Sequence, residues 1–182
     1  GNDQITGSDA DEILMGGSGK DVLSGGAGND FLLGAGTSGD QLSGGLGDDF
    51  IDGGAGNDIV IEQGDVNFTL LTTSLSGLGN DTLKRIERAN LTGGSSANVL
   101  DASGFLTGFG VTLSGLEGPD QLVGSIGSDV LIGGSGNDTA HGGDGNDGIL
   151  GQAGADHLFG ENGDDFIRAH GGSKDIVSGG LG

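Results

Sequence analysis

The chain has 182 residues, 45 of them glycine, with one proline, no cysteine and a formal net charge of −21 from 27 acids against 6 Lys plus Arg. That balance argues against nucleic acid or an anionic membrane surface as partner, and no apolar run approaches the ~20 residues of a membrane span. The absence of cysteine excludes disulfides, zinc–thiolate sites and a cysteine nucleophile.

In chain order, the glycines fall on a period of nine. After a partial repeat, Gly1-Asn2-Asp3, units open at Gly7, Gly16, Gly25, Gly34, Gly44 and Gly53. The clearest is Gly16-Gly17-Ser18-Gly19-Lys20-Asp21-Val22-Leu23-Ser24: two glycines, a third at the fourth position, Asp at the sixth, and an aliphatic residue two places later. The unit at Gly34 holds ten residues, with its insertion near Thr37-Ser38. From 62 to 114 the period fails but its parts survive. Ser76 to Lys84 contains a unit around Asp81, and Gly93 to Asp101 contains another with Asn98 where Asp belongs. Alternation predicts strands at Val66–Leu70, Ala89–Thr92 and Val111–Leu113. Lys84 to Arg88 is barely one helical turn with Gly93-Gly94 soon after, so strand or turn is expected there. Regular units resume at Gly115, Gly124, Gly133, Gly142, Gly151 and Gly160, with a ten-residue one at Ala169. The expected organisation is a regular roll over 1–61, an irregular β-insert or wider coils over 62–114, and a second roll over 115–182. Both ends fall inside a repeat, as expected of a segment from a longer protein.

Aligned on the sixth position, the units carry Asp3, Glu12, Asp21, Asp30, Asp40, Asp49, Asp58, Asp81, Asn98, Asp120, Asp129, Asp138, Asp147, Asp156, Asp165 and Asp175. Two places later every unit has an apolar residue, from Ile5 to Val177. One inward side chain per unit implies strands of about three residues and a thin stacked core, which suits a solenoid. The glycines are needed because a turn every nine residues requires φ > 0 and close backbone approach. Such turns leave carbonyl oxygens uncovered, and hard cations such as Ca²⁺ take carboxylate and carbonyl oxygens together. The candidate metal ligands are therefore Asp3, Asp21, Asp30, Asp40, Asp49, Asp58, Asp81, Asp120, Asp129, Asp138, Asp147, Asp156, Asp165 and Asp175. Backbone candidates are Gly17, Gly19, Gly26, Gly28, Gly45, Gly47, Gly54, Gly56, Gly134, Gly136, Gly143 and Gly145. Stacking such carboxylates ~4.8 Å apart without cations is strongly repulsive. The alternative reading is that these Asp residues form Asx-turns in solvent. Weak loops are expected at Glu12, which is longer than Asp, at Asn98, which lacks the charge, at Pro119, and at the two insertions, Thr37-Ser38 and Ala169–Gly172.

The nonapeptide resembles the repeats-in-toxin (RTX) family of calcium-binding β-rolls, and the pattern covers about two-thirds of the chain. The resemblance implies an all-β, right-handed parallel β-roll in which two successive units make one coil and calcium ions sit between stacked turns. It also implies a bacterial protein exported unfolded through a type I secretion channel, folding when external calcium binds. The function expected is a calcium-binding structural module of a large secreted or cell-surface protein such as an adhesin, surface layer or extracellular fibre. The alternative is the calcium-binding carrier domain of a secreted hydrolase, protease or epimerase. No enzyme is expected from this segment: it has neither a Gly-x-Ser-x-Gly elbow nor a His-Glu-x-x-His motif.

If alternate units line opposite sheets, one sheet presents Ile13, Met15, Phe31, Leu33 and Phe50 outward, and a second strip presents Val130, Ile132, Leu150 and Phe166. Contiguous outward apolar strips mark contact surfaces, filled here by self-association or by another part of the protein.

Overall fold

The computed structural model describes residues 1–182 and contains strands but no helix. In order these are β1 (Gln4–Thr6), β2 (Ile13–Met15), β3 (Val22–Ala27), β4 (Phe31–Leu33), β5 (Gln41–Leu46), β6 (Phe50–Asp52), β7 (Ile59–Gln63), β8 (Phe68–Leu71), β9 (Ser74–Ser76) and β10 (Asn80–Lys84). They continue as β11 (Arg88–Thr92), β12 (Val99–Gly104), β13 (Val111–Glu117), β14 (Gln121–Val123), β15 (Val130–Ser135), β16 (Thr139–Asp144), β17 (Gly148–Ala153), β18 (His157–Asn162), β19 (Phe166–Arg168) and β20 (Ile176–Ser178).

Two compact units divide the chain: Gly1–Glu62 with Thr72–Asn90, and Gln63–Leu71 with Leu91–Gly182. Residues 62–114 thus supply strands to both. In the first unit β1, β3, β5 and β7 form one parallel ladder. The other is β2, β4, β6 and β10, with β9 antiparallel to β10. In the second unit β13, β15, β17 and β19 stack in parallel. Opposite them β8, β12, β14, β16, β18 and β20 do the same. Alternate repeats therefore line opposite sheets, and each unit is a parallel β-solenoid, the β-roll that the resemblance implies. Lys84 ends β10 and Arg88 opens β11, with Arg85 to Glu87 as the connection between them.

The register shows how little the insertion at Gly34 disturbs. Ile5 lies beside Leu23 and Leu14 beside Leu32, eighteen residues apart. Leu23 lies beside Leu42 and Leu32 beside Ile51, nineteen apart, with the aliphatic columns still aligned. The extra residue is absorbed in the loop because a one-residue slip in a strand would turn every side chain to the wrong face.

Away from the ends, where Ile5 and Ile167 are half-buried and Val177 is exposed, each regular coil buries one aliphatic side chain per strand: Leu32 with Ile51 and Leu83, or Leu113 with Leu131 and Ile149. The irregular segment buries more: Leu75, Ile86 and Ala89 in the first unit, and Phe68, Leu70, Leu91, Ala102 and Phe105 in the second. The outward strips lie where the alternation places them. Ile13 is 73% exposed and Met15 61%, while Phe31 stacks on Phe50 with ring centroids 4.6 Å apart. Phe166 is 65% and Val130 42% exposed; Leu33, Ile132 and Leu150 are half-buried.

Candidate metal centre

The loops joining the sheets stack into two rows in each unit, and their sixth-position carboxylates form hydrogen-bonded ladders. In each, the backbone N–H of one coil donates to the carboxylate Oδ1 of the next. On one side of the first unit Asp3 donates to Asp21 at 2.8 Å, Asp21 to Asp40 at 2.8 Å, and Asp40 to Asp58 at 2.7 Å. On the other, Glu12 donates to Asp30 at 2.9 Å, Asp30 to Asp49 at 2.7 Å, and Asp49 to Asp81 at 3.0 Å. The second unit repeats the arrangement. Asn98 donates to Asp120 at 2.7 Å, Asp120 to Asp138 at 2.9 Å, Asp138 to Asp156 at 3.0 Å, and Asp156 to Asp175 at 3.0 Å. Across the roll Val111 donates to Asp129 at 2.6 Å, Asp129 to Asp147 at 2.8 Å, and Asp147 to Asp165 at 3.0 Å.

The second carboxylate oxygen has no such use. Oδ2 is buried without a hydrogen-bond partner in Asp21, Asp30, Asp40, Asp49, Asp58, Asp120, Asp138, Asp147, Asp156 and Asp165. A buried polar atom left unpaired costs folding free energy, most of all when it carries charge. Each of these oxygens faces the first glycine of its own loop, and those of Asp30, Asp40, Asp120, Asp138, Asp147 and Asp165 do so beside the carbonyl of the matching glycine one coil on. A Cβ on Gly34 would meet Asp40 Oδ2 and the Gly53 carbonyl; on Gly133 it would meet Asp138 Oδ2 and the Gly151 carbonyl. Carboxylate and carbonyl oxygens thus converge where only glycine leaves space. That donor set fits a hard, oxygen-seeking divalent cation. It does not offer a zinc-type chelate, since no three His, Cys, Asp or Glu side chains gather at one point.

The loop backbone is specific to this arrangement. In most of the nine-residue loops the second and fourth residues lie in the left-handed region, as at Gly17 (φ 94°) with Gly19 (φ 125°) and Gly134 (φ 113°) with Gly136 (φ 143°). Ala35, Leu116, Gln152 and Glu161 adopt it at the second position with φ of 63°, 79°, 72° and 73°, although each carries a side chain. That costs roughly 1–2 kcal/mol apiece, so the conformation is imposed by the stack and does not come from glycine alone.

Burial pushes the carboxyls of Asp40, Asp49 and Asp120 above their ordinary range. Asp58 and Asp147 reach about 6 by burial and by repulsion from the acids around them. Asp138 also reaches about 6, because it is buried and faces Asp120 and Asp156 in its row. Asp81 is pushed to about 7 by burial, with Asp49 and Asp48 adding repulsion. The stack therefore concentrates negative charge that it does not itself neutralise.

A family model for the RTX calcium-binding nonapeptide repeat matches residues 1–21, 6–38, 34–61, 114–149, 141–173 and 150–182, leaving out only 62–113. The chain belongs to the RTX calcium-binding nonapeptide repeat family. Among solved structures, the extracellular lipase LipA from Serratia marcescens is similar at 24% identity, with 91% of this chain and 32% of that chain covered and a TM-score of 0.30. This RTX chain thus spans about a third of the lipase. No curated protein matches it.

In this RTX roll the expected weak loops divide. Asp40 and Asp120 keep both the ladder bond and the unpaired Oδ2, despite the insertion at Thr37-Ser38 and the neighbouring Pro119. Glu12 and Asn98 make hydrogen bonds within their own loops, and so does Asp129, which looks regular in sequence. Three features escape the nonapeptide rule. Glu87 Oε2 takes the Asp58 N–H at 2.8 Å, filling the ladder position after a connection shortened to Arg85–Glu87. Glu62 stands where a first glycine belongs; its buried carboxyl is raised to about 7 by burial while Oε1 accepts from Gly44 at 2.7 Å and Gly45 at 3.2 Å. Fifth-position side chains form another ladder running the opposite way. Asn29 N–H donates to Asp11 at 2.8 Å, Asp48 to Asn29 at 2.8 Å, and Asn80 to Asp48 at 2.9 Å. The recurring Gly-Asn-Asp and Gly-Asp-Asp triplets are the signal for this ladder.

Proposed function

We propose that the chain is a calcium-loaded structural module of a larger secreted or cell-surface bacterial protein, folding when it meets calcium outside the cell. The observation that supports this most is the set of ten buried carboxylate oxygens with no hydrogen-bond partner, repeated at one place in successive coils. The Asp ligands would be those whose Oδ2 is unpaired, with loop carbonyls completing the oxygen set. When bound, Ca²⁺ supplies the positive charge that the stack lacks. The chain's own residues do the rest: Oδ1 sets each carboxylate against the next coil, and left-handed glycines hold the loops open. Because the regular coils bury only one aliphatic residue per strand, binding free energy becomes folding free energy. Extracellular calcium modules commonly bind at ~10⁻⁴–10⁻³ M, above cytosolic levels, which suits a chain exported unfolded. A far-UV circular dichroism titration of the chain tests this. Calcium, and not magnesium at equal concentration, should convert a largely unfolded spectrum to β; full β-structure in EDTA would overturn the folding reading. The strips around Phe31 and Phe166 would be contact surfaces between copies, so Phe31→Asp with Phe166→Asp should lower the mass seen by light scattering.

A further inference from the structure

Three loops have a different conformation from the others. In the loop from Gly124 to Asp129, Ser125 N–H donates to Asp129 Oδ2 at 2.5 Å and Ser125 Oγ–H to Oδ1 at 2.9 Å. Oδ1 also accepts Val111 N–H at 2.6 Å, and Ser125 Oγ accepts Gly127 N–H at 3.1 Å. Ser125 is 4% exposed and Asp129 2%, so this is a built, buried cluster. The loop from Gly7 to Glu12 repeats it. Ser8 N–H donates to Glu12 Oε2 at 2.9 Å, its hydroxyl to Oε1, and Ala10 N–H to Ser8 Oγ at 3.3 Å. In the loop from Gly93 to Asn98, Gly94 N–H donates to Asn98 Oδ1 at 2.7 Å, and the Asn98 amide donates to Asp65 at 3.3 Å. Elsewhere the second-position N–H goes to a partner outside its own loop: Gly17 donates to the Gly34 carbonyl at 3.0 Å, Gly45 to Glu62 at 3.2 Å and Gly54 to Asp52 at 3.2 Å.

In the nine-residue open loops, such as those at Gly16, Gly44 and Gly133, the second and fourth residues both have positive φ, while the loops at Gly34, Ser76 and Ala169 keep only part of this pattern. In the loops 7–12, 93–98 and 124–129 neither the second residue (Ser8, Gly94, Ser125) nor the fourth (Ala10, Ser96, Gly127) has positive φ. Ala10 and Ser96 carry side chains that disfavour the left-handed region. Gly127 has no such restriction, so in its loop the difference traces to Ser125, whose hydroxyl holds Gly127 N–H and whose N–H holds Asp129. Neither oxygen of Asp129, nor Glu12 Oε2, joins the unpaired set.

We propose that the loops 7–12, 93–98 and 124–129 take no calcium, and that Ser125 is the residue that closes the third of them. This rests on the reading that the open loops do bind calcium. The physical reason is competition for the same oxygen. An N–H aimed at the carboxylate occupies the direction from which a cation would approach, carries the positive end of its dipole there, and already satisfies the oxygen. Such a loop is complete without metal. The roll is therefore a mixture of calcium-dependent and self-closed coils.

Native mass spectrometry of the full chain at saturating calcium tests this by counting ions. Asp129→Asn should leave the count at the wild-type value, whereas Asp138→Asn should lower it, and Ser125→Gly should raise it by one. A loss with Asp129→Asn equal to that with Asp138→Asn would overturn the proposal, as would Ser125→Gly gaining no ion. Ser125→Gly removes no core atom, so it decides the matter even if Asp129→Asn fails to fold. A wild-type chain that binds no calcium would overturn the calcium reading itself, a result distinct from either.

Discussion

Replacing Asp138 by Asn isolates the cation from the rest of the fold. The amide keeps Oδ1, so the bond from Asp120 N–H at 2.9 Å survives. Only Oδ2 changes, an atom that is buried, has no partner and stands beside the Gly133 position and the Gly151 carbonyl. If that oxygen binds calcium, stability must grow with calcium concentration by RT ln(1 + [L]/Kd) for the site. Above Kd this is about 1.4 kcal/mol per tenfold rise in free calcium for each site. With Kd near 10⁻⁴ M, the site contributes about 2.7 kcal/mol at roughly 10⁻² M calcium and almost nothing well below Kd. At low calcium the sign reverses, because the substitution removes a carboxyl that burial and the flanking Asp120 and Asp156 already push to about 6. Urea denaturation followed by circular dichroism, repeated across calcium concentrations, reads both effects. The plot of unfolding free energy against log calcium should be shallower for Asp138→Asn by about 1.4 kcal/mol per decade and should cross the wild-type line. Parallel lines would refute the assignment of Oδ2 to a cation.

Leu131→Ala, in a column where the side chain is fully buried, should cost about 2–5 kcal/mol and leave the calcium slope unchanged in the same denaturation series. Gly136→Ala should weaken calcium-dependent folding measurably by circular dichroism, since φ is 143° there and a Cβ would strike the Gly118 carbonyl; an unchanged calcium midpoint would contradict it. Without metal, Asp58, Asp138 and Asp147 have folded-state pKa values raised from 3.8 to about 6, and Asp81 to about 7. The folded state then holds protons that the unfolded chain releases, so their stabilisation is full below 3.8 and is lost as pH rises through 6 to 7. Circular dichroism in EDTA should accordingly show more β-structure near pH 4 than near pH 8. Burial works against ionisation of Asp52, but Arg85, bonded to its two oxygens at 2.8 and 2.6 Å, and Lys84 at 3.2 Å hold its carboxyl below the usual range. Arg85→Met should cost about 1–2 kcal/mol in urea denaturation at pH 7, below the range for a fully buried pair because both cationic heads are about half exposed. The loss should shrink as pH falls and Asp52 protonates.

The nine-residue period by itself determined the aliphatic columns and the row of sixth-position acids, and the family resemblance that it carries supplied the two-unit coil and the two-sheet alternation. A repeat constrains every copy of itself at once: one residue type at one place, stacked on its own kind, has little freedom to do otherwise. The outward strips around Phe31 and Phe166 follow from the same alternation. What the period could not determine is where each oxygen and N–H points. Glu62 and Glu87 look like ordinary acids in an irregular stretch, and only the folded backbone brings them to Gly44 and to Asp58. Asp129 matches the motif as well as Asp138 does, yet the first is saturated by Ser125 and the second keeps a bare buried oxygen. Pro119 and the insertion at Thr37-Ser38 look damaging and leave Asp120 and Asp40 intact. The difference lies in the peptide orientation at the second loop position. That orientation is set jointly by the local side chain and by the coil stacked against it, and a single coil's sequence contains only the first of these.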